Sequence, residues 1–164
     1  MRQLIILATL SSVVAGCITA GGVDIRPPNL ALIHTGAEAI FVDRYRLERV
    51  SSYVFATVYI VGPKDHIIDG QPYPLRRRRL QLDCERRFLL EDRLDHIAAD
   101  GQVRLGDSVG APAMTWPHAP PATQDDAGIL AQLCKRFPGG GSGIGSDFAE
   151  AVRVGRQHLS EGGS

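Results

Sequence analysis

Several features that would point to a particular class of protein are scarce in this chain of 164 residues. Its 18 basic and 18 acidic residues leave no net charge, so the basic excess typical of nucleic-acid-binding proteins is missing. Phe, Trp and Tyr make up only 6% of the residues, which leaves few rings for stacking on bases. No stretch reaches the roughly 20 apolar residues that a membrane-spanning helix requires. The sequence therefore predicts neither a nucleic-acid-binding protein nor one with transmembrane helices.

Motifs for catalysis and metal binding are also missing. The three cysteines include no Cys-x-x-Cys pair, and the five histidines have no spacing that supplies a third ligand, so we expect no metal. Asp95, His96 and Ser108 have the residue types of a hydrolase triad, but no Gly-x-Ser-x-Gly nucleophile turn accompanies them. The glycine-rich run 139–145 lacks the Lys-Ser/Thr of a phosphate loop and is interpreted as a linker. The sequence thus predicts no enzyme and no cofactor.

The N-terminal segment has the layout of a secretory signal peptide. Arg2 supplies a positive start, residues 4–15 are mainly apolar, and small residues follow. Val14-Ala15-Gly16-Cys17 closely resembles the bacterial lipobox, in which the cysteine is acylated and becomes the first residue after cleavage. We therefore predict a signal peptide over residues 1–16 and lipidation at Cys17, with several acyl chains giving a stable membrane anchor. The alternative is an ordinary cleaved signal peptide with Cys17 near the junction.

The cysteine count and the residue after Cys17 indicate the compartment. If Cys17 carries lipid, Cys84 and Cys134 remain as a pair in an oxidising environment, where a disulfide is expected. It would close a loop of about 50 residues and stabilise the fold by roughly 4 kcal/mol. The alternative is two buried free thiols. In lipoproteins of this type the next residue influences sorting, and Ile18 is not the aspartate linked to inner-membrane retention. We therefore predict an outer-membrane location.

The remainder of the chain is rich in strand patterns up to residue 107 and helical afterwards. Strands are predicted over 39–43, over 50–61 with a stop at Gly62-Pro63, from 77 to about 90, and as a hairpin over 94–105 that turns at Asp100-Gly101. The strand over 50–61 is apolar on both faces, which predicts a central strand that is at least partly covered on both sides. Trp116 lies in a proline-rich, irregular segment, either as a core residue beneath the following helix or as an exposed anchor for a partner.

Two helices are predicted after this segment. Thr123 is expected to cap the first, which ends at Pro138-Gly139; Ser146 is expected to cap the second, which either docks or forms a mobile tail. Strands followed by helices predict an α+β fold: an antiparallel β-sheet packed against a C-terminal helix, with one disulfide. The predicted organisation is a tether over 17–35, one domain over 36–137, and a Gly-rich linker with a short terminal helix over 138–164.

The run of arginines at positions 76–79 is the sharpest electrostatic feature of the sequence. Arg76, Arg77, Arg78 and Arg79 could bind an acidic polysaccharide, a lipopolysaccharide phosphate or an acidic protein segment. The alternative is a solvated sheet face or edge, where basic side chains discourage aggregation between edges. We treat the four arginines as a candidate polyanion-binding site.

Three patches of the chain, taken in order, resemble the surface-adhesin protein E-like family of bacterial lipoproteins. They are Ile40-Phe41-Val42-Asp43 followed by Leu47-Glu48-Arg49; Leu82-Asp83-Cys84-Glu85-Arg86-Arg87 before a hairpin with Gly101; and Trp116, then Pro120 or Pro121, Thr123 and a helix that ends at Cys134. The resemblance covers roughly residues 36 to 136. The glycine-rich segment and the last helix lie outside the family pattern.

The resemblance implies a fold and a way of acting. Such proteins have an antiparallel sheet packed against a C-terminal helix, and the implied disulfide falls on Cys84 and Cys134. The family's named member binds host matrix and serum proteins. We therefore expect a non-enzymatic outer-membrane lipoprotein that binds an extracellular matrix protein, another host protein or an acidic polysaccharide. The alternative is a structural, periplasm-facing lipoprotein that supports envelope assembly or integrity.

Overall fold

Residues 26–106, 123–135 and 143–162 are described by a computed structural model of the protein. In this part of the chain, seven strands form one antiparallel sheet in the order β6-β5-β4-β3-β2-β1-β7, accompanied by two helices. The strands are β1 (Leu30–Thr35), β2 (Ala39–Val50), β3 (Tyr53–Ile68), β4 (Gln71–Asp83), β5 (Phe88–Ile97), β6 (Val103–Arg104) and β7 (Gly143–Gly145); the helices are α1 (Gln124–Lys135) and α2 (Phe148–Glu161). The predicted α+β class with an antiparallel sheet is confirmed.

The two helices cover opposite faces of the sheet. On one face Val54, Ala56 and Val58 of β3 belong to a buried cluster with Ile129, Leu130 and Leu133 of α1. On the other face Tyr59 and Val61 belong to a second cluster with Ala151 of α2. Alternate residues of a strand point to opposite faces, so the apolar pattern predicted for both sides of β3 is satisfied by one helix on each side.

Strand β3 continues past the stop predicted at Gly62-Pro63. It runs to Ile68, and its pairing with β4 shifts register between Val61 and His66. Proline has no backbone N–H to donate to the neighbouring strand. A β-bulge tolerates this loss because its extra residues are left unpaired. The prediction that the strand ends at Gly62-Pro63 was wrong because a bulge accommodates both residues without ending the strand.

The alternating segment predicted from residue 77 to about 90 contains a turn. Residues 84–87 separate β4 from β5, and the buried carboxylate of Asp83 accepts hydrogen bonds from the backbone nitrogens of Glu85 and Arg86. Arg87 adopts a positive φ of 55° in this turn. The predicted hairpin between β5 and β6 is present, with Gly101 at a φ of 83°.

The predicted domain boundaries at both ends need correction. Leu30–Thr35, assigned to the tether, forms β1, and Leu30 and Ala31 are fully buried. Gly143–Gly145, assigned to the linker, forms β7 and pairs with β1. The glycines and prolines of the predicted tether lie before residue 29, whereas residues 30–33 are apolar and supply a strand to the core. The folded domain therefore includes elements on both sides of 36–137.

Helix α2 docks on the sheet instead of forming a tail. Gly155 lies so close to the sheet that a Cβ atom there would be 3.0 Å from Val61 Cβ and 3.2 Å from Ala39 Cβ. Tyr59 and Phe148 place their ring centroids 5.4 Å apart. The N-cap is Asp147, which accepts hydrogen bonds from two backbone nitrogens of the first turn, and not Ser146 as predicted. The glycine that thins the apolar stripe of α2 is thus what permits close packing.

Helix α1 is capped at its start and held to the sheet at its end. Thr123 caps its start as predicted, since Thr123 Oγ1 accepts from the backbone nitrogen of Asp126 at 3.0 Å. At its end, Arg49 of β2 donates to the carbonyl oxygens of Leu133 and Cys134 at 2.9 and 3.2 Å. The last carbonyls of a helix generally lack partners within it, so these donors satisfy two of them, and a cation there also interacts favourably with the helix dipole.

Candidate binding surface

The disulfide between Cys84 and Cys134 is present. The two Cα atoms are 5.4 Å apart, and the bond joins the end of β4 to the last turn of α1, 50 residues further along the chain. The predicted pairing is therefore confirmed, and the alternative of two free thiols is wrong. Cys17, the signal peptide over 1–16 and Trp116 lie outside the described residues.

The strand pleat divides the arginine run into two pairs. All four arginines lie on β4, where Arg76 and Arg78 face the α1 side of the sheet and Arg77 and Arg79 face the α2 side. The candidate polyanion site is thus not a single cluster of four side chains. Each pair has its own surroundings, and these determine what it can bind.

The pair on the α1 side makes ion pairs within the fold. Arg78 contacts Asp126 of α1 at 2.8 Å and Glu91 of β5 at 2.9 Å, and its side chain is only 16% exposed. Burial alone lowers the pKa of Arg78, but the hydrogen bond with Asp126 and the charge of Glu91 raise it above its usual value. Arg76 pairs with Glu38. These contacts hold α1, β5 and the turn before β2 to strand β4.

On the α2 side, Arg77 belongs to a network centred on a buried carboxylate. Asp95, 1% exposed, accepts hydrogen bonds from Arg77 Nη2 at 2.6 Å and from Arg93 Nε at 2.7 Å. Burial raises the pKa of Asp95, but the hydrogen bonds from the two arginines outweigh it and hold that pKa below its usual range. Tyr59, which faces Arg77, has a raised pKa because it is buried. The network places two guanidinium groups, each just over a quarter exposed, on this face.

Beyond Tyr59 the described helices leave part of the α2 side of the sheet uncovered. We call this region the open face and define it by Tyr45, Arg46, Phe55, Thr57, Arg79 and Arg93. Phe55 is 40% exposed and Tyr45 53% exposed, and Arg79 is exposed as well. The first five residues line a concavity of about 270 Å³ that Glu48 also borders.

A large bulge in β2 shapes one side of this concavity. Val42 pairs with Val58 and Leu47 pairs with Ala56, so four residues of β2 stand opposite Thr57 alone. The bulge projects Tyr45, while Asp43 beneath it is fully buried and holds Arg46 in an ion pair. Asp43 also accepts from the backbone nitrogens of Asn29 and Tyr45 at 3.0 Å each. Bulges redirect side chains in this way beside functional sites.

The chemistry of the open face favours binding of an anionic group. Its guanidinium groups reach solvent, whereas Asp43 and Asp95, which hold three of the nearby arginines, lie beneath the surface. Guanidinium groups donate paired, charge-assisted hydrogen bonds to carboxylate, sulfate and phosphate. Sequence reasoning identified Arg79 but missed Tyr45 and Arg46, because a bulge leaves no distinctive sequence signal. In the described residues, no group of three His, Cys, Asp or Glu side chains could hold a metal.

Comparison with protein-family models, with curated proteins and with solved structures gave no match to this chain. Within the ranges that the structure describes, neither helix has the length and apolar character needed to cross a membrane.

Proposed function

We propose that this protein is a non-enzymatic lipoprotein of the bacterial cell envelope, anchored in the outer membrane through Cys17. The observation that carries the proposal is the disulfide between Cys84 and Cys134. Disulfides persist in oxidising compartments, which supports export of the chain. Because the sequence has three cysteines, this pairing leaves Cys17 as the one cysteine free for acylation, at the end of a lipobox-like segment.

In this proposal the domain acts by binding an extracellular protein or polyanion, in an adhesin-like role. The open face supports binding because exposed aromatic rings and guanidinium groups lie together on a rigid sheet. The resemblance to the surface-adhesin protein E-like family points in the same direction.

Membrane fractionation tests the anchor. In a bacterial host, the wild-type protein is expected in the membrane fraction with an acylated N-terminus, and Cys17→Ala is expected to remain unprocessed and unacylated. Thr19→Ala, which leaves the lipobox-like residues unchanged, serves as the matched control and is expected to behave like the wild type. Equal processing and no acylation in all three proteins would contradict the proposal.

Protease treatment of intact cells tests the adhesin-like role. A domain displayed at the cell surface is cleaved by added protease, and its loss is read by immunoblot with a periplasmic protein as the control for cell integrity. Protection of the domain in intact cells, together with cleavage after the outer membrane is opened, would instead assign the structural, periplasm-facing role.

A further inference from the structure

We propose that the open face binds a linear acidic polysaccharide, with Arg79 and Arg93 contacting its charged groups and Phe55 and Tyr45 packing against its sugar rings. The proposal rests on the envelope-binding function above and names the class of its partner and the site that takes it.

Polar residues of three neighbouring strands are aligned across the sheet. Thr57 of β3 is directly opposite Arg79 of β4, and Arg79 is directly opposite Arg93 of β5. Neighbouring strands are about 4.8 Å apart, so the three residues form a row about 10 Å long across the strands. Arg46 extends this row on β2, beyond Thr57. A row of this kind fits a chain-like ligand that crosses the strands.

The charges of two strands meet on this face. Arg79 and Arg93 are directly opposite each other on β4 and β5, so one bound anion could accept hydrogen bonds from both guanidinium groups. Among the described side chains that border the open face, Glu48 is the exposed carboxylate, while Asp43 and Asp95 are buried. The exposed charge of this face is therefore mainly positive, which complements an acidic ligand.

The concavity is small. Its volume of about 270 Å³ is just below the usual range for ligand pockets, so it accommodates one ring or charged group at a time. A stable protein partner instead requires contact over roughly 800 Å² per side. Phe55 offers an apolar ring face next to the arginines, and Tyr45 offers the face of its ring that Arg26 does not cover; both suit the apolar faces of sugar rings. These features favour a polysaccharide over a folded acidic protein.

The strand pleat supplies a matched pair of variants for the test. Arg79→Gln and Arg76→Gln each remove one positive charge from the same strand, but Arg76 lies on the opposite face and pairs with Glu38. The test uses the lipid-free chain 18–164, which retains every described element. The probe is heparin, with affinity measured by titration and salt elution from immobilised heparin. Unmodified dextran is the uncharged control.

We expect the wild type to bind heparin and not dextran, and Arg79→Gln to bind about tenfold more weakly, as expected for loss of one charge-assisted hydrogen bond. Arg93→Gln is expected to show a similar loss, Phe55→Leu a smaller one, and Arg76→Gln no change. Thermal melting and non-reducing gels confirm that the variants fold. Arg79→Lys is expected to recover part of the affinity because it restores the charge without the planar guanidinium group.

Two results would overturn the inference. One is equal weakening by Arg76→Gln and Arg79→Gln, which would indicate a non-specific charge effect. The other is no binding of heparin, or binding that polyglutamate displaces at an equal concentration of charge, which would indicate an acidic peptide as the partner. Neither result depends on the lipid anchor, so failure of this inference is distinguishable from failure of the proposed function.

Discussion

Arg78 and Arg79 are neighbours in the chain, but their side chains lie on opposite faces of the sheet. Arg78 Nη1 is 2.8 Å from Asp126 Oδ1 beneath α1, whereas Arg79 is exposed beside Phe55 on the open face. A run of four arginines that reads as one basic cluster in the sequence therefore has two roles. Arg76, Arg77 and Arg78 make ion pairs within the fold, whereas Arg79 lies on the open face that is proposed to bind a partner.

The buried carboxylate of Asp95 should make a large contribution to stability. Replacement by Asn leaves Arg77 and Arg93 without their shared anion, and we expect the free energy of unfolding to fall by about 3 kcal/mol. Urea unfolding at pH 7 measures the change. Asp65→Asn, which breaks the more exposed pair with Arg156, is the control and should cost less than about 1 kcal/mol. Similar losses in both variants would contradict the assigned role of Asp95.

The lowered pKa of Asp95 also predicts the direction of acid destabilisation. Because its pKa is lower in the folded protein than in the unfolded chain, the stabilisation is complete above the unfolded value of about 3.9 and is lost as the pH falls through the folded value. We therefore expect a steeper loss of stability below about pH 4 in the wild type than in Asp95→Asn. Parallel acid-unfolding curves would be evidence against this linkage.

His96 should make stability depend on pH in the mildly acidic range. Burial, followed by the charges of His66, Arg76 and Arg104, lowers the pKa of His96 in the folded protein, while Asp95 acts in the opposite direction. The ring also stacks on His66 at 5.0 Å and contacts Tyr73 at 5.9 Å between ring centroids. Since the unfolded chain takes up this proton first, stability should decrease as the pH falls below about 6.5.

Replacement of His96 by Phe keeps an aromatic ring and removes the titrating group. We expect a smaller difference in unfolding free energy between pH 7.5 and pH 5.5 in His96→Phe than in the wild type. His158→Gln, which removes an exposed histidine of α2, serves as the matched control for loss of a histidine. An unchanged difference in His96→Phe would show that other groups cause the pH dependence.

The disulfide is expected to make the largest single contribution to folding stability. Conversion of both Cys84 and Cys134 to Ser removes a constraint across 50 residues, for which the chain-entropy model gives roughly 4 kcal/mol. Denaturant unfolding should show that the double variant and the reduced wild type lose similar amounts of unfolding free energy. If this free energy falls by no more than about 1 kcal/mol in both, helix α1 is held by its other contacts and the disulfide is not essential.

Close packing of α1 against β1 depends on Gly128. A Cβ atom at this position would overlap the His34 ring, which is held by a hydrogen bond of 3.1 Å to Asp125. Gly128→Ala should therefore destabilise the protein by about 1 to 3 kcal/mol through overpacking, although alanine favours helix formation. The double variant Gly128→Ala with His34→Ala removes the clash, so its loss of unfolding free energy should be smaller than the sum of the losses in the two single variants. Additive losses in urea unfolding would contradict the clash between the two side chains.

The sequence allowed the fold class to be predicted where the chemistry is local. The apolar alternation of β3, the Thr123 cap and the Asp100-Gly101 turn all depend on neighbouring residues, and all three are present. The turn between β2 and β3 was missed because Ser51, with a φ of 56°, lacks the usual Asn-Gly or Asp-Gly signal. The turn after β4 was missed because the Asp83 side chain closes it.

The open face could not be predicted because it depends on long-range geometry. The bulge in β2 arises from pairing with β3, and no local pattern distinguishes Tyr45 from other residues of an amphipathic strand. The sequence also did not decide whether α2 docks on the sheet or forms a tail, because its apolar stripe includes Gly155. That residue is favourable only because a sheet surface with Val61 and Ala39 lies against it.

The most direct test of the account is the intact mass of the protein extracted from membranes without reductant. The account predicts a chain that begins at Cys17, carries covalent acyl groups, and is two hydrogen atoms lighter than the dithiol because Cys84 and Cys134 are joined. Alkylation without reductant should then label neither cysteine. An N-terminus without acyl groups would contradict the proposed membrane anchor, and two alkylated cysteines would contradict the disulfide on which the proposal depends.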